Sequence, residues 1–211
     1  GDIIIDGGNS YFEDSQKRYK ALQKKGIRFL DCGTSGGMGG ARHGACMMVG
    51  GDREVFEEVE ELFKSMTVKD GYGYMGASGA GHFVKGVHNG IEYGMMAAIA
   101  EGVDAIRSQE KVFGTDLENA VKVYAHGSIV ESRLVSWLLE GMKRDYFKEV
   151  KGIVPKGETE EEMEKLEKLK GVSMPILTQA RLERVKSRKK PNFAAKLVAV
   201  MRNEFGGHKF N

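Results

Sequence analysis

Gly79-Ala80-Gly81-His82-Phe83-Val84-Lys85-Gly86-Val87-His88-Asn89-Gly90-Ile91-Glu92-Tyr93 places Lys85, His88, Asn89, Glu92 and Tyr93 at i, i+3, i+4, i+7 and i+8. That is the spacing of one face of an α-helix. Soluble helices usually fill such a stripe with Leu, Ile and Val turned to a core. Here the stripe carries a cation, an imidazole, an amide, a carboxylate and a phenol, while Phe83, Val84, Val87 and Ile91 point elsewhere. A merely solvated face would be built mostly of Glu/Lys pairs. One face offering an acid, a base and neutral hydrogen bonds has the make-up of an active site.

Downstream of this helix, expected over 77–108, the periodicity is almost wholly helical. Helices are predicted over 116–124, 129–146, 174–186 and 192–205, with a short exposed helix in the Glu- and Lys-dense segment 157–170. Upstream, strands and helices alternate. Asp2-Ile3-Ile4-Ile5-Asp6 reads as a buried strand of the parallel-sheet kind, followed by the turn Gly7-Gly8-Asn9-Ser10. A helix over 12–25, a strand over 27–31, a long glycine loop over 33–41, a strand over 46–49 and a helix over 53–64 with Asp52 as its N-cap follow. The pattern predicts α/β and then all-α, with domains at 1–75 and 76–211.

The bulk composition narrows the function. A chain of 211 residues with 32 basic and 30 acidic side chains has a net charge of +2, too little to imply a nucleic-acid or membrane partner. No apolar run approaches the roughly 20 residues of a membrane span. The two cysteines, Cys32 and Cys46, form no CxxC motif and have no metal-ligand spacing, so no metal is expected. They read as reduced, packed thiols of a cytoplasmic protein.

Ser35-Gly36-Gly37 has the composition of an anion-binding turn, since glycines let backbone N–H groups converge and the hydroxyl adds a donor. The plain alternative is a flexible connection. No Gly-Lys-Ser/Thr follows, so it is not a nucleotide P-loop. The Gly7–Ser10 turn lies at the carboxyl end of a predicted parallel strand, where open α/β sheets place ligands. Arg184, Arg202 and His208, near the ends of predicted helices, could equally be complements to helix dipoles.

Together these segments resemble 6-phosphogluconate dehydrogenases of the decarboxylating, short type, within the wider β-hydroxyacid dehydrogenase group. Asp6-Gly7-Gly8-Asn9-Ser10, Ser35-Gly36-Gly37, Met48-Val49-Gly50-Gly51, Lys85-xx-His88-Asn89-Gly90-Ile91-Glu92-Tyr93 and Phe205-Gly206-Gly207-His208 occur in that order. The Lys with Asn four residues later is shared by the wider group. The run His88 to Tyr93 is selective for the phosphogluconate branch.

The resemblance implies the remainder of a Rossmann-type parallel sheet followed by a helical domain built on a long central helix. It implies Lys85 as general base and Glu92 as general acid. Asn9, Ser35, Gly36, Gly37, His88 and Asn89 would hold the carboxylate and hydroxyls of 6-phosphogluconate, and Tyr93, Arg184, Arg202 and His208 its phosphate. NADP or NAD would be the cofactor, with Asn9 also touching it. The implied assembly is a homodimer in which the tail, with Arg202 and His208, completes the partner's site. The implied reaction, a step of the pentose phosphate pathway, is oxidative decarboxylation to ribulose 5-phosphate and CO2. Alternatives are a 3-hydroxyisobutyrate-type dehydrogenase, which would need Lys85 and Asn89 but no phosphate-binding tail, or a non-catalytic ligand-binding remnant.

Two departures stand out. The GxGxxG turn that opens such chains is expected upstream of Gly1, so this chain would carry only the last part of a Rossmann-type domain, and whether it is active by itself stays open. The segment from Gly157 is Glu-rich where the family has a Gly-rich stretch ending in Trp-Thr, and no phosphate contact is assigned there, Lys156 included.

Overall fold

The computed structural model describes residues 1–210, which form two compact units, Gly1–Asn89 and the residues from Gly90 onward. In the first unit a four-stranded sheet runs in the order β1 (Ile3–Asp6), β2 (Arg28–Ser35), β3 (Ala45–Gly51), β4 (Thr67–Gly76). β1 is parallel to β2 and β3 to β4, but β3 runs antiparallel to β2. Connection length accounts for this. The segments before β2 and β4 carry helices α1 (Phe12–Gln23), α3 (Arg53–Glu58) and α4 (Glu60–Met66), long enough for parallel crossovers. Between β2 and β3 only residues 36–44 are available, and they hold the short helix α2 (Gly37–His43), too little chain for a parallel return.

The expected glycine loop over 33–41 is therefore divided. Gly33, Thr34 and Ser35 finish β2, and Gly37 opens α2 after Gly36 at φ +125°, a backbone state that glycine alone adopts readily. The strand β4, absent from the sequence reading, completes the sheet. Tyr72 and Tyr74 on it flank Phe56, which stacks on Phe63 at 5.7 Å. These rings close a core with Leu30, Cys32 and Val49. Cys32 is buried there as expected, and burial pushes its thiol pKa up.

Helix α5 runs unbroken from Ala80 to Ser108. Beyond it come α6 (Glu110–Phe113), α7 (Leu117–Tyr124), α8 (Arg133–Met142), a 3-10 turn at Asp145–Glu149, α9 (Glu158–Leu166), α10 (Pro175–Ser187) and α11 (Phe193–Gly206). Side-chain caps explain several starts. Asp116 accepts from the Asn119 N–H, Ser132 from Val135 and Asn192 from Ala195. Met96, Val121, Leu138, Leu197, Val200 and Met201 are the centre of this helical core. Among the described residues, no helix is long and apolar enough to cross a membrane.

The segment 157–170 is not the exposed helix expected of it. Met163 and Leu166 on α9 are fully buried, and Glu160 is buried against Arg188. Arg181 holds Glu164 and Glu167 together. Its high charge count concealed an apolar i, i+3 pair.

Candidate active site

In the first unit, α5 is seated on bare backbone. A Cβ on Gly50 would lie 2.6 Å from the Gly81 nitrogen, and one on Gly81 would lie 2.6 Å from the Asp31 carbonyl and strike that of Met48. A Cβ on Gly33 would collide with Lys85 and lie 2.7 Å from the Gly81 carbonyl. Real Cβ contacts are longer, so only glycine permits this approach. The fully buried Asp31 carboxylate fixes the start of the helix, accepting N–H groups of Gly79 at 2.6 Å and His82 at 2.9 Å. A carboxylate at a helix N-terminus also meets the positive end of the dipole.

That seat delivers Lys85 to Gly33 and, one turn later, His88 to Ser35. The Ser35 hydroxyl lies 3.2 Å from His88 Nε2, Lys85 Nζ 3.3 Å from His88 Nδ1, and the Asn89 amide oxygen 3.4 Å from the same Nδ1. Burial, and then the Lys85 charge, hold His88 below its usual pKa. A neutral imidazole beside a lysine acts as a hydrogen-bond partner without competing for charge. Gly36 and Gly37 follow Ser35 directly, and Asn9 is exposed on its turn at the end of β1. The structure thus brings Lys85, His88, Asn89 and Ser35 together.

A second polar group in this unit had not been singled out in the sequence. His82 Nδ1 lies 2.7 Å from the Ser15 hydroxyl and 3.9 Å from Asp31 Oδ2. Serine, histidine and aspartate here do not form a hydrolytic triad, because Ser15 and Asp31 both address one ring nitrogen and all three side chains are buried. Only the three-dimensional register of β2 against α1 and α5 reveals them. Among the described residues, no three His, Cys, Asp or Glu side chains gather as metal ligands.

In the second unit, Tyr93, Arg184, Arg202 and His208 come together. The Arg184 guanidinium lies 3.2 Å above the Tyr93 ring, and its Nη2 donates to the Met96 sulfur at 3.8 Å. Arg202 donates to the Pro155 carbonyl at 3.2 Å. Both arginines are buried, with 5% and 7% of their surface exposed, so neither is a solvated complement to a helix dipole. Burial above all, and Arg202 nearby, push Arg184 down to about 10, while the Tyr93 ring and Glu92 act the other way. Burial likewise lowers Arg202. His208, edge-on to Phe205, is lowered by partial desolvation and then by Arg202 and Arg184. Three basic groups, each made harder to charge by its surroundings, form a site that an anion would relieve. Lys156 lies outside this set, in an exposed ion pair with Glu161.

Comparison with known proteins gives a consistent result. Residues 1–76 match the NAD binding domain of 6-phosphogluconate dehydrogenase, and residues 81–140 match the C-terminal domain of 6-phosphogluconate dehydrogenase. The chain is 44% identical to Bacillus subtilis YqeC, which is named provisionally as a 6-phosphogluconate dehydrogenase, over 99% of this chain and 70% of that protein. It is 37% identical to the NAD(+)-dependent, decarboxylating 6-phosphogluconate dehydrogenase of Haloferax volcanii, over 99% of this chain and 69% of that one. Among solved structures, the Plasmodium falciparum 6-phosphogluconate dehydrogenase superposes with a TM-score of 0.76 at 28% identity, covering 90% of this chain and 43% of that one. A Mycobacterium tuberculosis 3-hydroxyisobutyrate dehydrogenase shares the fold, with a TM-score of 0.68 at 20% identity over 92% of this chain and 68% of that one.

Proposed function

Because the chain belongs to the 6-phosphogluconate dehydrogenase family, we propose that it serves the oxidative decarboxylation of 6-phosphogluconate to ribulose 5-phosphate and CO2. The reading joins a match to a nicotinamide-dinucleotide-binding domain with the polar stripe of α5. The observation that carries the choice of substrate is the buried Arg184–Tyr93–Arg202 cluster with His208. A phosphorylated sugar acid has a group that needs such a cluster, whereas 3-hydroxyisobutyrate has none.

In this reading, Ser35, Gly36, Gly37, His88, Asn89 and Asn9 hold the carboxylate and hydroxyls. Lys85, in its neutral form, takes the proton of the C3 hydroxyl as hydride leaves that carbon. The protonated Lys85 then hydrogen-bonds the C3 oxygen while the β-keto acid loses CO2. Glu92, two helical turns on, protonates C1 of the resulting enediol. Tyr93, Arg184, Arg202 and His208 take the phosphate.

NADP or NAD, when bound, supplies the hydride acceptor. Asn9 is the residue of this chain assigned to it. Asn9 is exposed at the carboxyl end of parallel strand β1, and Gly7 has open space where a Cβ would stand, which suits the approach of a flat ring.

The reading includes a homodimer. In it the tail, with Arg202 and His208, completes the partner's site.

Calorimetric titration with 6-phosphogluconate, against 3-hydroxyisobutyrate, tests the proposal without requiring turnover. Selective binding of the phosphorylated acid, weakened in Lys85→Ala and His208→Ala, is the expected outcome. A folded protein that binds neither acid would sink the substrate assignment and favour a remnant.

A further inference from the structure

Two carboxylates face each other across β1 and β2: Asp6 and Asp31 are partners in register. Like charges directly opposite destabilise a sheet unless each is compensated. Here the compensations differ. Asp31 is fully buried and spends its oxygens on the N–H groups that start α5. Asp6 folds back over its own turn. Its Oδ1 accepts the Gly8 N–H at 3.2 Å, and its Oδ2 accepts the Ser10 hydroxyl and Arg18 Nη1, each at 3.0 Å. Asn9 lies between the two residues that Asp6 holds.

His82 stands between these two systems. The Ser15 hydroxyl at 2.7 Å belongs to α1, the helix that follows the Asn9 turn, and His82 itself lies one turn before Lys85 on α5. Its buried Nε2 has no hydrogen-bond partner among the described protein groups. An orphaned N–H would cost more there than an orphaned lone pair. Hydrogen-bond logic therefore assigns the proton to Nδ1, shared with Ser15 and facing Asp31. Burial works to raise the Asp6 carboxyl, but Gly8, Ser10 and Arg18 as partners hold it below the ordinary value. An apolar side chain would pack at position 82 without leaving a nitrogen unpaired, so the imidazole is explained by its Nδ1 contact.

We propose that Asp6, Asp31 and His82 are positioning residues that fix the Asn9 turn against the Lys85 helix. Asp6 shapes the turn, Asp31 sets the height of α5, and the Ser15–His82 bond ties α1 to α5. None of the three touches the reacting atoms. Their effect on substrate rests on the function proposed above, but the coupling of turn to helix does not.

The test uses the full chain with Asp6→Ala, Asp6→Asn, His82→Leu and His82→Asn, read by amide hydrogen exchange and by calorimetry with 6-phosphogluconate. In Asp6→Ala, exchange at Gly8 should accelerate and affinity should fall about tenfold, the scale expected when a binding group loses its preset orientation. Asp6→Asn retains an oxygen for the Gly8 N–H and should restore most of both. His82→Leu should also loosen the turn, whereas His82→Asn, whose carboxamide can occupy the place of Nδ1, should recover it. A merely structural role predicts lowered melting temperatures with no rescue and unchanged affinity in the cold. That outcome, or a Gly8 amide as protected in Asp6→Ala and His82→Leu as in the parent, overturns the proposal. If the parent itself does not bind 6-phosphogluconate, the substrate reading fails, and the positioning claim is decided by amide exchange alone.

Discussion

The two halves of the polar stripe on α5 are secured in opposite ways. Lys85 and His88 belong to a unit where a helix lies directly on strand backbone and a buried carboxylate pins its first turn. Tyr93 belongs to a unit of packed helices, where positions depend on side-chain burial and two arginines are held in an apolar setting. The first arrangement supplies orientation at short range. The second supplies electrostatic demand, because burial lowers the pKa of Arg184 and Arg202. In the proposed reading, Lys85 as base needs the former, and the anion subsite gains from the latter.

The largest effect should come from the first half. Gly81→Ala would force a methyl group onto two fixed carbonyls and should destabilise the fold by about 3 kcal/mol, the upper range for overpacking. Chemical denaturation measures it. A loss near zero would show that α5 can lift from the sheet.

Arg184→Met comes next and separates the halves. Replacing a buried cation with an apolar side chain of similar length should leave the unliganded protein as stable or more so. Affinity for 6-phosphogluconate should fall about fiftyfold, in line with loss of a buried charged partner. Equal affinity by calorimetry would make Arg184 a packing residue.

The pH response is smaller, and its sign can be worked out. His88 and His208 both have folded pKa values below the usual 6.5, so below that pH the unfolded chain binds more protons than the folded one. Stability should therefore be retained above pH 6.5 and decline as pH falls through it. A bound phosphate favours protonated His208 and should reverse that residue's share. Melting temperatures at pH 7.5 and 5.5, with and without 6-phosphogluconate, check this. His208→Ala should abolish the ligand-dependent part, and a ligand effect that persists in it would remove His208 from the anion site.

Lys156→Ala should do least. Its ion pair with Glu161 is exposed, and such pairs contribute little. A change in affinity above about twofold would draw α9 into the site after all.

Much of this was legible in the sequence. The α5 stripe follows from local pattern, as do the boundaries of α7, α10 and α11, whereas the helix expected over 129–146 starts only at Arg133 behind its Ser132 cap, and the cap expected at Asp52 makes no side-chain bond to its helix. Strand β4 was not, because Asp70 and three glycines in Thr67–Gly76 are poor strand formers; only the Tyr72/Tyr74 alternation hinted at it. The direction of β3 depended on counting the chain between strands. The burial of Arg184 and Arg202 was hidden because helix-end arginines have the same local signature whether solvated or enclosed. Asp6, Asp31 and His82 lie far apart in sequence, and no spacing links them.

The glycine seat beneath α5 has a consequence for how this protein can vary. Where a helix rests on side chains, each substitution in the sheet shifts it slightly, and errors accumulate at whatever it carries. Peptide groups are the same whatever the side chain. With Gly33, Gly50 and Gly81 in place, the location of Lys85 is indexed to the main chain of β2 and β3. The rest of the sheet is then freer to drift in sequence while Lys85 stays where it is, and the steric part of the constraint rests on three residues that have no side chain to lose, beside the Asp31 carboxylate that pins the first turn.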